Sequence, residues 1–199
     1  LARAPKVDWP NPATGLPDPV IKYYRHVNRE MITPPGERTL VTMIAPPGFA
    51  HINTVLATTF KSTRQLLDYH ALTLSVPVDY RVKSTGMGHA NTTLINQLPV
   101  LLEDWPQRPA LHLRALVLNG VTFHYAALWG EVWTPEYQRD AWSQRDRRLA
   151  ANFFAQLTPA WQRSCALRTD YSRRQALVEI DVLAAQALGL ALDELLTIY

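Results

Sequence analysis

The chain has 199 residues and a formal net charge of +3, enough for one large domain or two small ones. Hydrophobic residues make up 47% of it and charged residues 19%, which indicates a folded protein and excludes a disordered one. No apolar run reaches the roughly 18 residues of a membrane span, so we expect no membrane partner. The single cysteine, Cys165, excludes an internal disulfide, disfavours a thiolate metal site and favours a cytoplasmic protein. Most of the twenty cationic residues are arginine, whose planar group suits phosphate and guanine, so nucleic acid is a permitted partner.

The start of the chain has no initiator methionine and no signal-like apolar segment, and its last residues keep a helical pattern without a stop signal. We therefore expect a piece of a longer polypeptide. Five of the fifteen prolines fall within residues 1–20. This density predicts an extended lead-in without regular secondary structure.

Strand patterns follow the lead-in. Residues 21–29 are aromatic and basic and fit either a strand or a helix. Residues 37–45 are β-branched and apolar and predict a buried strand, bracketed by Pro-Pro-Gly turns at 34–36 and 46–48. Threonine and valine over residues 54–60 predict a second strand.

Helical spacing then covers residues 62–74, with Ser62 or Thr63 as the cap. Residues 75–82 return to a β-rich composition, in which Pro77 favours an edge strand or a bend. In the second half the patterns predict helices over residues 108–119, 122–133, 136–157 and 172–188, and a last helix from near Leu192.

These elements predict an α+β fold, with a mixed β-sheet domain and short helices in the first half and a helical C-terminal half. The expected divisions are an extended lead-in over 1–20, an α/β part over 21–105 and a helical part over 106–199.

The stretch 81–99 contains the strongest functional signal. A basic, hydroxyl-rich segment precedes two glycines that relax the backbone, and Asn91 then caps a short helix over residues 92–97 that Pro99 ends. Free N–H donors beside a lysine suit a phosphate, although glycines before a helix also occur in loops that bind nothing. The candidate DNA-contacting residues here are Lys83, Ser84, Thr85, Gly86, Gly88, His89 and Asn91.

Four further candidates lie outside this stretch. His51 and Asn53 follow the second Pro-Pro-Gly turn and could contact adenine, or could form local turn hydrogen bonds. Lys61 and Arg64 start the first helix, where they could contact phosphates or simply face solvent. An arginine cluster at 145–148 has the same two interpretations.

Catalytic motifs are missing from the sequence. It has no Gly-x-Gly-x-x-Gly after a strand and no Gly-Lys-Ser/Thr phosphate loop, and its six histidines show no metal-binding spacing. The carboxylates are dispersed. We therefore expect no catalytic, cofactor-binding or metal-binding residues in this chain.

The order of motifs in the first hundred residues resembles the target-recognition domain of large adenine-specific DNA methyltransferases. Such domains occur in type IIG restriction–modification enzymes and in the methylases of BREX and DISARM phage-defence systems. The motifs that carry the resemblance are Glu-Arg-Thr-Leu at 37–40, Pro-Pro-Gly-Phe-Ala-His-Ile-Asn at 46–53, Tyr-Arg-Val at 80–82, Gly-Met-Gly-His-Ala-Asn at 86–91 and Gln-Leu-Pro-Val at 97–100.

The resemblance implies a DNA sequence-recognition region without chemistry of its own. The glycine-rich S-adenosylmethionine loop and the Asn-Pro-Pro-Tyr motif of that family are absent from this sequence. It follows that no cofactor is expected in this chain and S-adenosylmethionine is expected in the parent protein. The implied partners are double-stranded DNA and the methyltransferase domain of the same or an associated chain.

Two other classes remain open. The helical half could be a protein-interaction or scaffold module of a multi-subunit complex, because Trp129, Trp133, Trp142 and Trp161 are side chains that interfaces use. A stand-alone enzyme is the third class. Exposed tryptophans would favour the interaction module, and salt-dependent duplex binding would favour DNA recognition.

Overall fold

The computed structural model describes residues 4–33 and 35–199 and has an α+β fold. Residues 1–3 of the expected lead-in and Pro34 of the first predicted turn lie outside the described residues. Two small antiparallel sheets contain the strands, and helices make up most of the second half. No helix in the part of the chain that the structure describes combines the length and apolarity needed to cross a bilayer.

The lead-in contains a two-stranded hairpin, so the prediction of no regular structure over residues 1–20 is wrong. Strand β1 (Lys6–Pro10) pairs with β2 (Pro17–Pro19), and the registered pairs are Lys6 with Pro19 and Pro10 with Pro17. Proline has no backbone N–H to donate, and this short, irregular pairing needs few such donors from its prolines. Trp9 anchors the hairpin by an edge contact with Tyr23, the ring centroids 6.0 Å apart.

The second sheet has three strands, β3 (Arg25–Arg29), β4 (Thr42–Ala45) and β5 (Val55–Thr59), with β3 in the centre. This places a strand within 21–29 and confirms the strand predicted over 54–60. Strand β4 is shorter than the predicted 37–45, because the N–H groups of Thr39 and Leu40 bind the Asp79 carboxylate, both at 2.7 Å, and are lost to the ladder.

Two helices follow the sheet in the chain, and the first of them packs against strands β3 and β4. Helix α1 (Thr63–Thr73) is capped by Ser62, as predicted. Helix α2 (Val76–Ser84) replaces the edge strand or bend predicted over 75–82. Ser75 accepts from the N–H of Val78 and a proline occupies the first turn, so two helix-start signals outweigh the β-branched composition. Asn91 caps α3 (Thr92–Ile95), which is shorter than the predicted helix.

The second half contains α4 (Arg108–Asn119), α5 (Ala126–Val132), α6 (Asp170–Ala187) and α7 (Leu192–Ile198). The helix predicted over residues 136–157 is wrong: only short 3-10 turns form at Pro135–Arg139 and Phe154–Gln156. Between these turns the side chains of Asp140 and Asp146 accept from backbone N–H groups, and the Ser143 hydroxyl donates to Glu179 of α6. Such side-chain bonds compete with helix formation.

Helix α4 lies between α1 and α6. A continuous hydrophobic cluster runs from Ile32 to Ala184 and includes residues of both halves. Trp129 is 1% exposed within it. The other three tryptophans named above are half-buried and pack against the same cluster.

Candidate nucleic-acid interface

The glycine loop lies beside the end of the central strand β3. Met31 forms an isolated antiparallel bridge with His89, and the N–H of Ile32 donates to the carbonyl of Gly88 at 3.0 Å. The N–H of Ala90 donates to the carbonyl of Glu30 at 2.7 Å. The loop is therefore held by main-chain bonds against residues 30–32, which follow β3, while the side chain of His89 stays exposed.

The loop begins later than the sequence predicts. Lys83 and Ser84 are the last residues of α2, and Thr85 is its C-cap. Gly86 has a φ of 65° and follows the cap, which is the left-handed position where helices commonly end in glycine. Gly86 therefore ends a helix, and the exposed loop proper covers residues 86–91.

A second loop reaches the same end of the sheet. The N–H of Glu30 donates to the carbonyl of Thr54 at 2.9 Å, just before β5 begins. Asn53 is exposed and its side chain makes no hydrogen bond to another described residue. His51 is also exposed, and its Nδ1 lies 3.1 Å from the Ile52 carbonyl oxygen, a local contact of the kind that the sequence left open. We call residues 51–54 and 86–91 the paired loops.

The polar groups around the paired loops differ in what they can still offer a ligand. The Ser84 and Thr85 hydroxyls donate to the carbonyls of Arg81 and Val82, at 2.8 and 2.7 Å, so their protons are already used. Lys83 Nζ donates to the carbonyl of Gly36 at 2.9 Å, which leaves further N–H donors on an ammonium group. The four-residue α3 supplies little dipole, which weakens the phosphate site expected at its start.

Asn91 uses one end of its amide for structure. Its Oδ1 accepts from the N–H of Leu94 at 3.1 Å, and its NH₂ group makes no hydrogen bond to a described residue. His89 Nδ1 lies 3.9 Å from Glu30 Oε1, so the carboxylate of Glu30 faces a histidine. The site is thus polar and mixed in charge, with amide, imidazole and ammonium donors at its surface.

Lys61 and Arg64 do not join this group. Strand pairing places Thr59 beside Arg25 and Val55 beside Arg29, so Lys61 lies beyond the opposite end of the sheet. At about 3.4 Å per residue, a five-residue strand separates its two ends by about 14 Å. Arg64 donates to the carbonyl of Glu103 at 2.8 Å, and Lys61 lines a cavity of about 510 Å³.

Two exposed apolar side chains beside the paired loops were not predicted as site residues. Met31 is 59% exposed and Ile52 is 72% exposed. Met31 follows Glu30 in the chain, and Ile52 lies two residues before Thr54, which accepts from the N–H of Glu30. Apolar side chains of this kind can contact the methyl group of thymine. An apolar side chain predicts a position in the core, so only the fold identifies Met31 and Ile52 as surface residues.

Arg38 is half-buried and forms an ion pair within the chain. Its Nη2 binds the two carboxylate oxygens of Asp181 at 3.2 and 3.0 Å. Asp181 also accepts from the N–H of Val76 and the hydroxyl of Tyr199, at 2.6 and 2.5 Å. Burial raises the pKa of Asp181 despite these partners.

Among the described residues, no group of three or more histidine, cysteine, aspartate or glutamate side chains could hold a metal ion. Cys165 is buried. Its Sγ accepts from the N–H of Gln162 at 3.3 Å, so the thiol lies inside the fold.

Comparison with protein-family models, with curated proteins and with solved structures found no match in any of the three. The function therefore has to be proposed from the residues and geometry of this chain.

Proposed function

We propose that this chain is the DNA sequence-recognition region of an adenine-specific DNA methyltransferase of a restriction–modification or phage-defence system. In this proposal the paired loops read the duplex. The methyltransferase domain, with its S-adenosylmethionine, belongs to the same or an associated chain. The observation that carries the proposal is the attachment of both candidate loops to the one residue Glu30.

The paired loops have the chemistry that base reading needs. Sequence is read by side chains that donate and accept hydrogen bonds at base edges, while lysine and arginine contacts to phosphate supply affinity. Asn53 is an exposed amide without a partner among the described residues, and His51 and His89 are exposed imidazoles. Lys83 lies at the end of α2 that leads into the second loop and could contact phosphate.

Attachment by main-chain bonds also favours recognition. A side chain that protrudes from a rigid loop loses less conformational entropy on binding than one on a mobile segment. Glu30 donates to Thr54 and accepts from Ala90, so both loops take their position from the central strand. The spacing of the reading groups is therefore set before DNA arrives.

The experiment is selection from a library of randomised double-stranded DNA, followed by binding measurements on the enriched duplex. We expect one sequence to be enriched, and Asn53→Ala to relax the preference at one base pair by about 1–3 kcal/mol. Asn152→Ala is the matched control, because Asn152 is also exposed but lies in the helical half. Failure to bind DNA, or binding with no enriched sequence, would overturn the proposal.

The interaction-module alternative depended on exposed tryptophans. Trp129 donates from its indole to the carbonyl of Thr158 at 2.8 Å, and Trp161 donates to that of Gly120 at 2.8 Å. Trp142 donates to Ala150 at 3.2 Å. These rings are anchored within the chain, so the feature that motivated this alternative is used in internal packing.

A further inference from the structure

The segment 140–151 of the helical half forms a rigid, cationic cavity. The segment is an irregular loop in place of the predicted helix, and eight residues between Ala141 and Ala151 line a cavity of about 540 Å³. The loop is held at both ends: Arg114 binds Asp140 at 2.6 Å, and the Trp142 indole donates to the carbonyl of Ala150 at 3.2 Å.

Three side chains of the loop, at positions 144, 146 and 148, contact α6. Gln144 Nε2 donates to Gln175 Oε1 at 2.6 Å, and Asp146 Oδ2 accepts from the hydroxyl of Tyr171 at 2.9 Å. Arg148 stacks over the Tyr171 ring with its guanidinium carbon 3.5 Å from the centroid. These contacts hold the loop against α6.

Arg145 and Arg147 alternate with these residues along the loop. Both are exposed, both line the cavity, and neither forms an ion pair with a described residue. The one carboxylate that lines the cavity, Asp146, is neutralised by Arg148, whose Nη2 lies 2.7 Å from its Oδ2. Hydrogen bonding to Arg148 lowers the pKa of Asp146, so this carboxylate stays paired and ionised. Two guanidinium groups therefore remain without an anionic partner in a concave surface.

We propose that Arg145 and Arg147 form a second DNA-contacting surface, which binds the phosphodiester backbone and reads no bases. The inference rests on the proposed function and adds a phosphate-binding surface to it. Guanidinium groups bind phosphate oxygens through two parallel N–H bonds, and the rigid loop spares part of the ordering cost of that contact. Phosphate contacts of this type strengthen binding to every sequence alike.

The test compares three proteins on the duplex enriched by selection: the wild type, R145Q/R147Q and K6Q/R163Q. The control removes the same two charges from exposed residues outside the cavity. We expect R145Q/R147Q to lose affinity about tenfold or more and to reduce the salt slope by nearly two, because each phosphate contact contributes about 0.9. Its base preferences should match those of the wild type. The control should change the slope far less.

Thermal melting monitors folding. Arg145 and Arg147 can both be replaced without breaking any internal bond described above. If the wild type enriches a sequence but R145Q/R147Q binds with unchanged affinity and salt slope, only the second surface is refuted. If the wild type enriches none, the proposed function itself fails. Binding of poly-aspartate that R145Q/R147Q loses, with DNA binding unaffected, would also overturn the inference and assign the cavity to an acidic protein.

Discussion

His26 Nδ1 and His70 Nδ1 lie 3.1 Å apart in the interior, and both side chains are 0% exposed. The amide Nδ2 of Asn119 donates to His70 Nε2 at 2.8 Å, while its Oδ1 accepts from the N–H of Ile44 at 3.2 Å. His70 therefore carries its proton on Nδ1 and donates it to His26. The pair requires both imidazoles to be neutral, because a second proton on either ring would face a donor or another N–H.

This pair predicts acid sensitivity of the fold. Burial lowers the pKa of His70 to about 3 and lowers that of His26 as well, whereas an unfolded histidine titrates near its ordinary value of 6.5. Below pH 6.5 the unfolded chain therefore binds protons that the folded chain rejects. Stability should be fully present above pH 6.5 and fall as the pH is lowered, by up to about 1.4 kcal/mol per pH unit for each histidine.

Urea denaturation between pH 7 and pH 5 measures this slope above the range where most carboxylates titrate. His51→Gln is the control, because His51 is exposed and lies outside the buried pair. His70→Gln should make the slope shallower whatever it does to the stability itself. A free energy of unfolding that stays constant over this range would contradict the neutral pair.

The two loop glycines should respond differently to alanine. Gly86 has a φ of 65°, a conformation that a Cβ disfavours, whereas the φ of Gly88 is not positive and a Cβ there would meet no atom within 4 Å. We expect Gly86→Ala to cost about 1 kcal/mol of unfolding free energy and Gly88→Ala to change it little. Chemical denaturation of both variants tests this difference, and equal costs would contradict the assigned helix end.

Asp181 should be a sensitive position of the interior. It joins α6 to Arg38, to the N–H of Val76 at the start of α2 and to Tyr199 after α7. Asp181→Ala leaves a half-buried guanidinium and a backbone donor without partners, which costs about 3–5 kcal/mol by analogy with other broken buried pairs. Asp193→Ala, in the exposed first turn of α7, is the control. A loss below about 1 kcal/mol would show that this cluster does not hold the helices together.

Lys83→Ala should weaken binding to all duplexes alike and lower the salt slope by about one. Its ammonium also binds the Gly36 carbonyl, so the melting temperature should be recorded in parallel. Lys61→Ala makes a matched comparison, because Lys61 lies beyond the opposite end of the sheet. Titration of the enriched duplex at several salt concentrations gives both slopes. An unchanged slope for Lys83→Ala would remove this residue from the interface.

Local signals predicted the elements whose ends are marked by single residues. Ser62 begins α1 and Asn91 begins α3 because each side chain accepts a bond from the N–H three residues later. The β-rich pattern of residues 75–82 misled the prediction, since Ser75 and Pro77 start a helix there. The prediction followed the β-rich composition and not the capping residue. Packing of Val78 and Val82 in the hydrophobic core also favours the helix.

The candidate site was predictable only in part. The sequence identified both loops, because glycine, histidine and asparagine cluster in them, but it could not show that they share an anchor in Glu30. It also offered Lys61 and Arg64 as residues that contact phosphates or face solvent, and it could not show that strand direction separates Lys61 from the paired loops. Long-range pairing of this kind depends on register, which short, weakly alternating strands specify poorly from their own pattern.

The bonds that attach the paired loops to Glu30 involve only main-chain atoms. Every amino acid except proline offers the same N–H and carbonyl groups, so residues at the tips of both loops can be substituted while the main-chain bonds to Glu30 are kept. A chain built in this way can acquire a new target by altering His51, Asn53 or His89, one position at a time, without rebuilding the scaffold beneath them.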